Sequence, residues 1–219
     1  MFPGLLIEVD GPVGIITLNR PEQYNALDAD LVSALAEALH VMENDAAVGV
    51  VVISGAGQNF CSGAIAGLLE APATGTDYAA QTSPILQEMF NRIGHASKPV
   101  VVRVHGCAYG IGAALVAACD IAVATFDTRF TLNEVHHNIP AALVSEHIVR
   151  AIGERHTRRY MLSGESFAAA EAYRIGLVHE IVPDESMLDE AVGEIVDCLL
   201  RNSRQALAEC KQALIATRA

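Results

Sequence analysis

The sequence predicts an α/β fold in which strands come in pairs before each helix, so it is not a simple doubly wound sheet. Three observations carry that. Apolar runs at Val48–Ser54 and Val100–Val104, bounded by Gly or Pro, read as buried strands. Between them lie stretches with apolar residues at helical spacing. Hydrophobic residues make up 52% of the 219, enough for a sizeable core.

Taken in order, Leu5–Val9 and Val13–Leu18 are short strands around Asp10-Gly11-Pro12, a hairpin signal. Asn19-Arg20-Pro21 opens a loop, and Asp28 caps a helix whose Leu31, Leu35, Leu39 and Met42 share one face. The strand Val48–Ser54 ends at Gly55-Ala56-Gly57. A glycine turn at Phe60-Cys61-Ser62-Gly63-Ala64 then leads to an apolar helix start. Residues 70–78 read as a mobile surface loop, and a helix carrying Ile85, Leu86, Met89 and Ile93 returns to Lys98. After the central segment come short strands at Ile121–Ala124 and Phe130–Leu132, then helices at Leu143–Ile152, Arg155–Leu162 and Phe167–Ile175. Gly176 closes the last of these. Val178–Val182 is the last strand, and two helices over 185–200 and 203–217 finish the chain.

The chain is organised around Lys98 to Asp120: an apolar strand, then Gly106, Gly110 and Gly112, then a helix rich in alanine at Ala113, Ala114, Ala117 and Ala118. Such a helix must lie very close to a neighbour. Its N-terminus offers unpaired N–H groups and the positive end of the dipole, suited to a phosphate, a carboxylate or a developing oxyanion. Leu115 stands where a dinucleotide fingerprint needs its third glycine, and no P-loop occurs.

A net charge of −12 argues against nucleic-acid and anionic-membrane partners. The five cysteines lack C-x-x-C spacing, and four of them sit in apolar surroundings. Free buried thiols in a reducing cytoplasm are the expectation. The N-terminus lacks signal-peptide features and no window reaches transmembrane length, so a cytoplasmic protein is expected.

NRPEQYNAL at 19–27, GAGQNFCSGA at 55–64, KPVVVRVHGCAYGIG at 98–112, CDIAVA at 119–124 and FTLNEV at 130–135 together resemble the crotonase (enoyl-CoA hydratase/isomerase) superfamily. The segment 150–183 resembles the family's next one. The resemblance implies a spiral of stacked ββα units over residues 1–184, with a shortened helical region over 185–219 that serves oligomerisation. It implies a homotrimer or a dimer of trimers, and apolar residues Leu188, Val192, Ile195, Leu199 and Leu207 add to that expectation. The family usually continues for several helices past Leu214. The implied substrate is an acyl-CoA or acyl-carrier-protein thioester, with coenzyme A entering as part of the substrate and no other cofactor or metal.

Carried over by position, the oxyanion donors are the backbone N–H groups of Ala64 and Ile111, the latter where the family usually has glycine. Gln23 and Tyr24 fall in the coenzyme A loop, Ile65 replaces the usual acidic residue after Ala64, and Gly110 precedes the second donor. Of the family's two glutamates, one falls on Ala114 and the other on Glu134. Two carboxylates suit addition of water, whereas one suits moving a proton between carbons. His136 and His137 follow Glu134; adjacent spacing points their rings apart, against a metal site. One of them as a second acid/base stays open beside an ordinary structural role. Arg103 inside an apolar strand is expected to meet an acidic neighbour or the substrate. The alternative readings are a dehydratase or decarboxylase on a carrier-protein thioester, and a thioester-binding homologue without activity.

Overall fold

The computed structural model describes residues 2–65, 68, 84–137 and 142–216. A six-stranded sheet runs in the order β1-β2-β3-β4-β6-β9, with β1 (Leu5–Asp10), β2 (Val13–Leu18), β3 (Val50–Gly55), β4 (Val100–Val104), β6 (Ile121–Thr125) and β9 (Glu180–Val182). Only the β1–β2 hairpin is antiparallel. A smaller sheet joins β5 (Cys107–Tyr109), β7 (Arg129–Thr131) and β8 (Phe167–Ala168). Isolated parallel bridges, Leu27 to Ala64 and Cys61 to Ala108, extend this second layer toward the N-terminal side.

Each turn of the chain repeats one path: a strand in the large sheet, a short extended piece in the second layer, then a helix. Thus β2 leads through Leu27 to α1 (Ala29–Asn44), β4 through β5 to α3 (Ile111–Ala118), and β6 through β7 to α4 (Ala142–Ser163). This is the expected ββα spiral. Asp28 caps α1 by accepting from Leu31 N–H at 2.8 Å, and Leu31, Leu35, Leu39 and Met42 are buried. The Arg20 guanidinium also pairs with Asp28. α2 (Pro84–His95) buries Leu86, Met89, Phe90 and Ile93. α4 is two helices joined at Gly153, whose φ of 74° and ψ of 160° break the helical path where the sequence placed a stop. α5 (Ala169–Ile175) ends on Gly176 in the left-handed region, as read from the sequence.

Every residue of β3 is buried, because both faces of the large sheet are covered. One face meets the main core. The other, made of Val50, Val52, Val101, Val123 and Val182, is covered by Leu188, Ala191, Val192 and Val196 of α6 (Glu185–Leu200). Arg103 projects from that face and pairs with Asp189 at 2.6 Å and Glu185 at 3.7 Å, so its partner is acidic, as one of the two readings had it. α7 (Arg204–Ala216) is anchored by Lys211, which donates to the carbonyls of Ile93 and Lys98 and to Asp120 Oδ2 at 2.7 Å.

Several expectations need correcting. Leu188 and Val192 are consumed by the sheet of their own chain, so they give no argument for an oligomer. Only Cys61, Cys107 and Cys119 are buried, whereas Cys198 and Cys210 lie on outward faces of α6 and α7. The pieces β5 and β8 are strands rather than turn and helix start, because pairing across the second layer decides such short segments. The loop read at 70–78 and the helix start after Ala64 lie outside the described residues. No described helix is long and apolar enough to cross a membrane.

Candidate active site

The site is built where β5 turns into α3. Gly110 adopts φ 51° and ψ −118°, a combination that only glycine takes without strain. Gly112 is required for a different reason: a Cβ there would stand 2.7 Å from the Cys61 carbonyl oxygen and 2.9 Å from Cys61 Cβ. The alanine-rich helix therefore rests directly on the 60–64 segment, the close neighbour its composition calls for. Ile111 opens the helix, so its N–H has no carbonyl four residues back within α3 to bond. Its branched side chain is accommodated in the core at 1% exposure.

Ala64 stands on the facing segment. The parallel bridge is closed by Leu27 N–H donating to Gly63 C=O at 2.7 Å and Ile65 N–H donating to Leu27 C=O at 2.9 Å. That pattern turns the N–H of Ala64 away from Leu27, to the side on which Cys61 pairs with β5. A Cβ on Gly63 would touch the Tyr109 carbonyl oxygen at 3.1 Å, so this segment and the end of β5 are in close contact. The Ala64 and Ile111 amides thus flank one crossover.

Glu134 begins a short 3-10 turn after β7 and is 4% exposed. Its Oε1 lies 3.1 Å from the position a Gly110 Cβ would occupy, beside the N-terminus of α3. Both carboxylate oxygens are buried and, among the described residues, accept no hydrogen bond from another residue. Burial pushes its carboxyl above the usual range, opposed only by its own backbone N–H. Leaving a buried carboxylate unpaired is costly, and a desolvated acid is the pattern of a proton-transfer group. Ala114, one turn into α3, is fully buried and offers no second carboxylate.

The N-terminal loop comes to the same place. Gln23 ends a 3-10 turn, Tyr24 is left-handed at φ 52° and exposed, and the Tyr24 carbonyl accepts from Ser62 N–H at 3.0 Å. Ile65 follows Ala64 with its side chain partly in solvent. The loop of Gln23 and Tyr24 thus bonds to the segment that carries Ala64 and Ile65, and that segment in turn touches the end of β5 before Gly110. His136 is exposed, its ring packed where a Gly164 side chain would stand, and the His137 side chain lies outside the described residues.

Two further polar residues hold this geometry. Asn25 is fully buried at φ 55°; its Nδ2 donates to the carbonyls of Ala56 and Asn59 and its Oδ1 accepts from Arg20 N–H. It pins the loop bearing Gln23 and Tyr24 to the turn that feeds Ala64. His105 is buried, donates from Nε2 to Gly57 C=O at 2.8 Å, and its own carbonyl accepts from Phe60 N–H at 2.9 Å. Apart from Arg20, these partners lie 31 to 48 residues away, which no local pattern announces, although Asn at a left-handed turn position is a signal.

A cleft of about 880 Å³ opens elsewhere, between α2, the end of α3, α4 and α7, and none of the residues named for the site lines it. Its size follows from helix packing, not from convergent chemistry. Among the described residues no cluster of His, Cys, Asp and Glu is arranged to hold a metal.

The family model for enoyl-CoA hydratase/isomerase matches residues 8–218. The chain is 32% identical over 211 residues to the 2,3-dehydroadipyl-CoA hydratase of Escherichia coli, covering 96% of this chain and 81% of that one. It is 30% identical over 212 residues to the short-chain-enoyl-CoA hydratase of Clostridium acetobutylicum, covering 96% and 80%. Among solved structures, an enoyl-CoA hydratase of Mycobacterium smegmatis superposes with a TM-score of 0.88 at 31% identity, over 98% of this chain and 83% of that one. A monofunctional enoyl-CoA isomerase from M. smegmatis gives 0.82 at 30% identity, over 98% and 93%. On sequence and on fold alike, this chain belongs to the enoyl-CoA hydratase/isomerase family of enzymes.

Proposed function

We propose that the protein acts on an acyl-CoA thioester through an enolate, with Glu134 as its single base and double-bond migration as its favoured outcome. Glu134 takes a proton from a carbon next to the thioester or next to the double bond. The electron pair moves onto the thioester oxygen, where the N–H groups of Ala64 and Ile111 hold it. The proton then returns two atoms away. Gln23 and Tyr24 flank the coenzyme A arm, and Ile65 and Gly110 border the thioester. Coenzyme A enters as part of the substrate, so the chemistry needs no other cofactor.

The observation that carries this reading is a buried carboxylate beside the α3 N-terminus, unpaired among the described residues, with fully buried Ala114 in place of a second. Hydration needs one group to activate water and another to deliver the α-proton, whereas migration needs one group used twice. The test follows a β,γ-unsaturated and a crotonyl thioester in parallel. Migration of the first is expected to outrun hydration of the second, and Ala114→Glu is expected to raise hydration. Fast hydration by the wild type would overturn the one-base reading. A trimer or a pair of trimers is also proposed from the family, and light scattering that returned the 23.2 kDa of one chain at micromolar concentration would refute it.

A further inference from the structure

His105 follows β4, is 3% exposed, and has a partner on each ring nitrogen. Nε2 lies 2.8 Å from the Gly57 carbonyl oxygen, which can only accept, so that nitrogen carries the proton. Nδ1 lies 3.3 Å from Arg103 Nη1, which can only donate, so that nitrogen is bare. The partners therefore select one neutral tautomer. Arg103 is itself anchored on α6, through Asp189 Oδ1 at 2.6 Å from Nε and Glu185 Oε1 at 3.7 Å from Nη1. Glu185 Oε1 also stands 3.2 Å from His105 Nε2.

From this ring onward the turn that feeds Ala64 is bonded to the chain leading into β5. Phe60 N–H donates to His105 C=O at 2.9 Å, Cys61 N–H to Cys107 C=O at 3.0 Å, and Tyr109 N–H to Cys61 C=O at 3.0 Å. The imidazole on Gly57 is the first fastening of that series.

We propose that His105 is a positioning residue for the Ala64 donor and acts only as this neutral tautomer, so that charging its ring disarms the site from a distance. A proton taken from solvent goes to Nδ1, where it meets an Arg103 N–H: donor faces donor and cation faces cation. Arg103 is held by α6, so the ring turns, and Nε2–H leaves the Gly57 carbonyl. The turn is then released at its base, and the N–H that holds the enolate oxygen loses its fixed place. Protonation of Glu134 separately removes the base, so the reaction has two independent losses on the acid side. The proposal rests on the reading of Ala64 as an oxyanion donor.

The charged groups facing the ring are Arg103 on its own strand and Glu185 and Asp189 on α6. The 57–60 turn carries none. After β6, Asp127 accepts from Thr125 Oγ1 at 2.6 Å, and Arg129 on β7 is exposed.

The test is the pH profile of α-proton exchange into D₂O for wild type, His105→Ala and His105→Gln, whose carboxamide offers an N–H at about the reach of Nε2 and takes no proton. At about pH 8, His105→Ala should lose 10–10²-fold in kcat and His105→Gln should recover most of it. At the acid end wild type should fall by about two decades per pH unit and His105→Gln by about one. Equal slopes, or full kcat in folded His105→Ala, overturn the inference. Should the variants not fold, wild-type NMR from about pH 8 to about pH 5 decides. The Phe60 and Ala64 amide signals should move together with the His105 ring; amides that stay still, or a ring that never charges, refute the role. If ring and amides move together but Ala64→Pro keeps its turnover, the donor reading fails and the coupling stands.

Discussion

Glu134 and Glu171 are both glutamates that touch buried structure, and they are treated in opposite ways. Glu171 accepts from Arg174 at 2.6 and 2.7 Å and from the Tyr160 hydroxyl at 2.5 Å. Those bonds, Arg174 first, hold its carboxyl down at about 2. Tyr160, whose ring packs on Phe167, is pushed up to about 12 by burial and then by Glu171. Among the described residues no other residue donates to either oxygen of Glu134, and its carboxyl is pushed up by burial. One carboxylate is satisfied and inert, fastening α5 to α4. The other is buried beside Gly110 and, among the described residues, left unpaired. The cost is stability, and what it provides is a base whose ionised form is poorly stabilised and so readily gains a proton.

The comparison is sharpened first at the donors. Ala64→Pro removes one N–H from the oxyanion pair and is expected to lower turnover by ~10²–10³ in a folded protein. Ile111→Gly keeps the N–H and is expected to leave turnover within about tenfold. Full activity in Ala64→Pro would break the assignment. A partnered carboxylate should fail differently. Asp120→Ala strips Lys211 of its counter-charge and Val100 N–H of its acceptor, and about 2–3 kcal/mol of stability should be lost in urea unfolding. An unchanged midpoint would show that Lys211 finds other partners.

The two glutamates themselves give effects of opposite sign. The folded-state value of Glu171 lies below the unfolded 4.5, so its stabilisation is present above pH 4.5 and is lost as pH falls toward about 2. Glu171→Gln should therefore unfold at lower temperature at pH 7, and converge on wild type near pH 2. Glu134 is raised above its unfolded 4.5, so it favours folding below that pH and loses this as pH rises through the folded value. Glu134→Gln should melt higher than wild type at pH 7, with the gap shrinking as pH falls from the folded value toward 4.5. Melting curves against pH that moved the same way in both variants would remove the distinction.

The spiral was legible because its large strands are apolar runs and its helices carry caps and stops that act locally: Asp28, Gly153, Gly176. The glycine turn before α3 and the need for a close neighbour were legible too, and Gly112 against Cys61 is that neighbour. Glu134 stood out only through the resemblance, since a glutamate after a strand is ordinarily solvated. The roles of Asn25 and His105 depend on partners brought together across turns of the spiral, and spacing along the chain carries no trace of those partners. Apolar residues on α6 misled because periodicity reports a buried face without saying which surface buries it; here it is the chain's own sheet.

The central claim is that a single unpaired carboxylate moves the substrate's proton. Mass spectrometry of a thioester incubated in D₂O reads that transfer atom by atom, in wild type and in Glu134→Gln at pH 7, with thioester binding checked on the same samples. The expected result is α-deuterium incorporation by the wild type and a loss of ~10²–10⁴ in rate in Glu134→Gln, with binding retained. Exchange at the wild-type rate in Glu134→Gln would contradict the account.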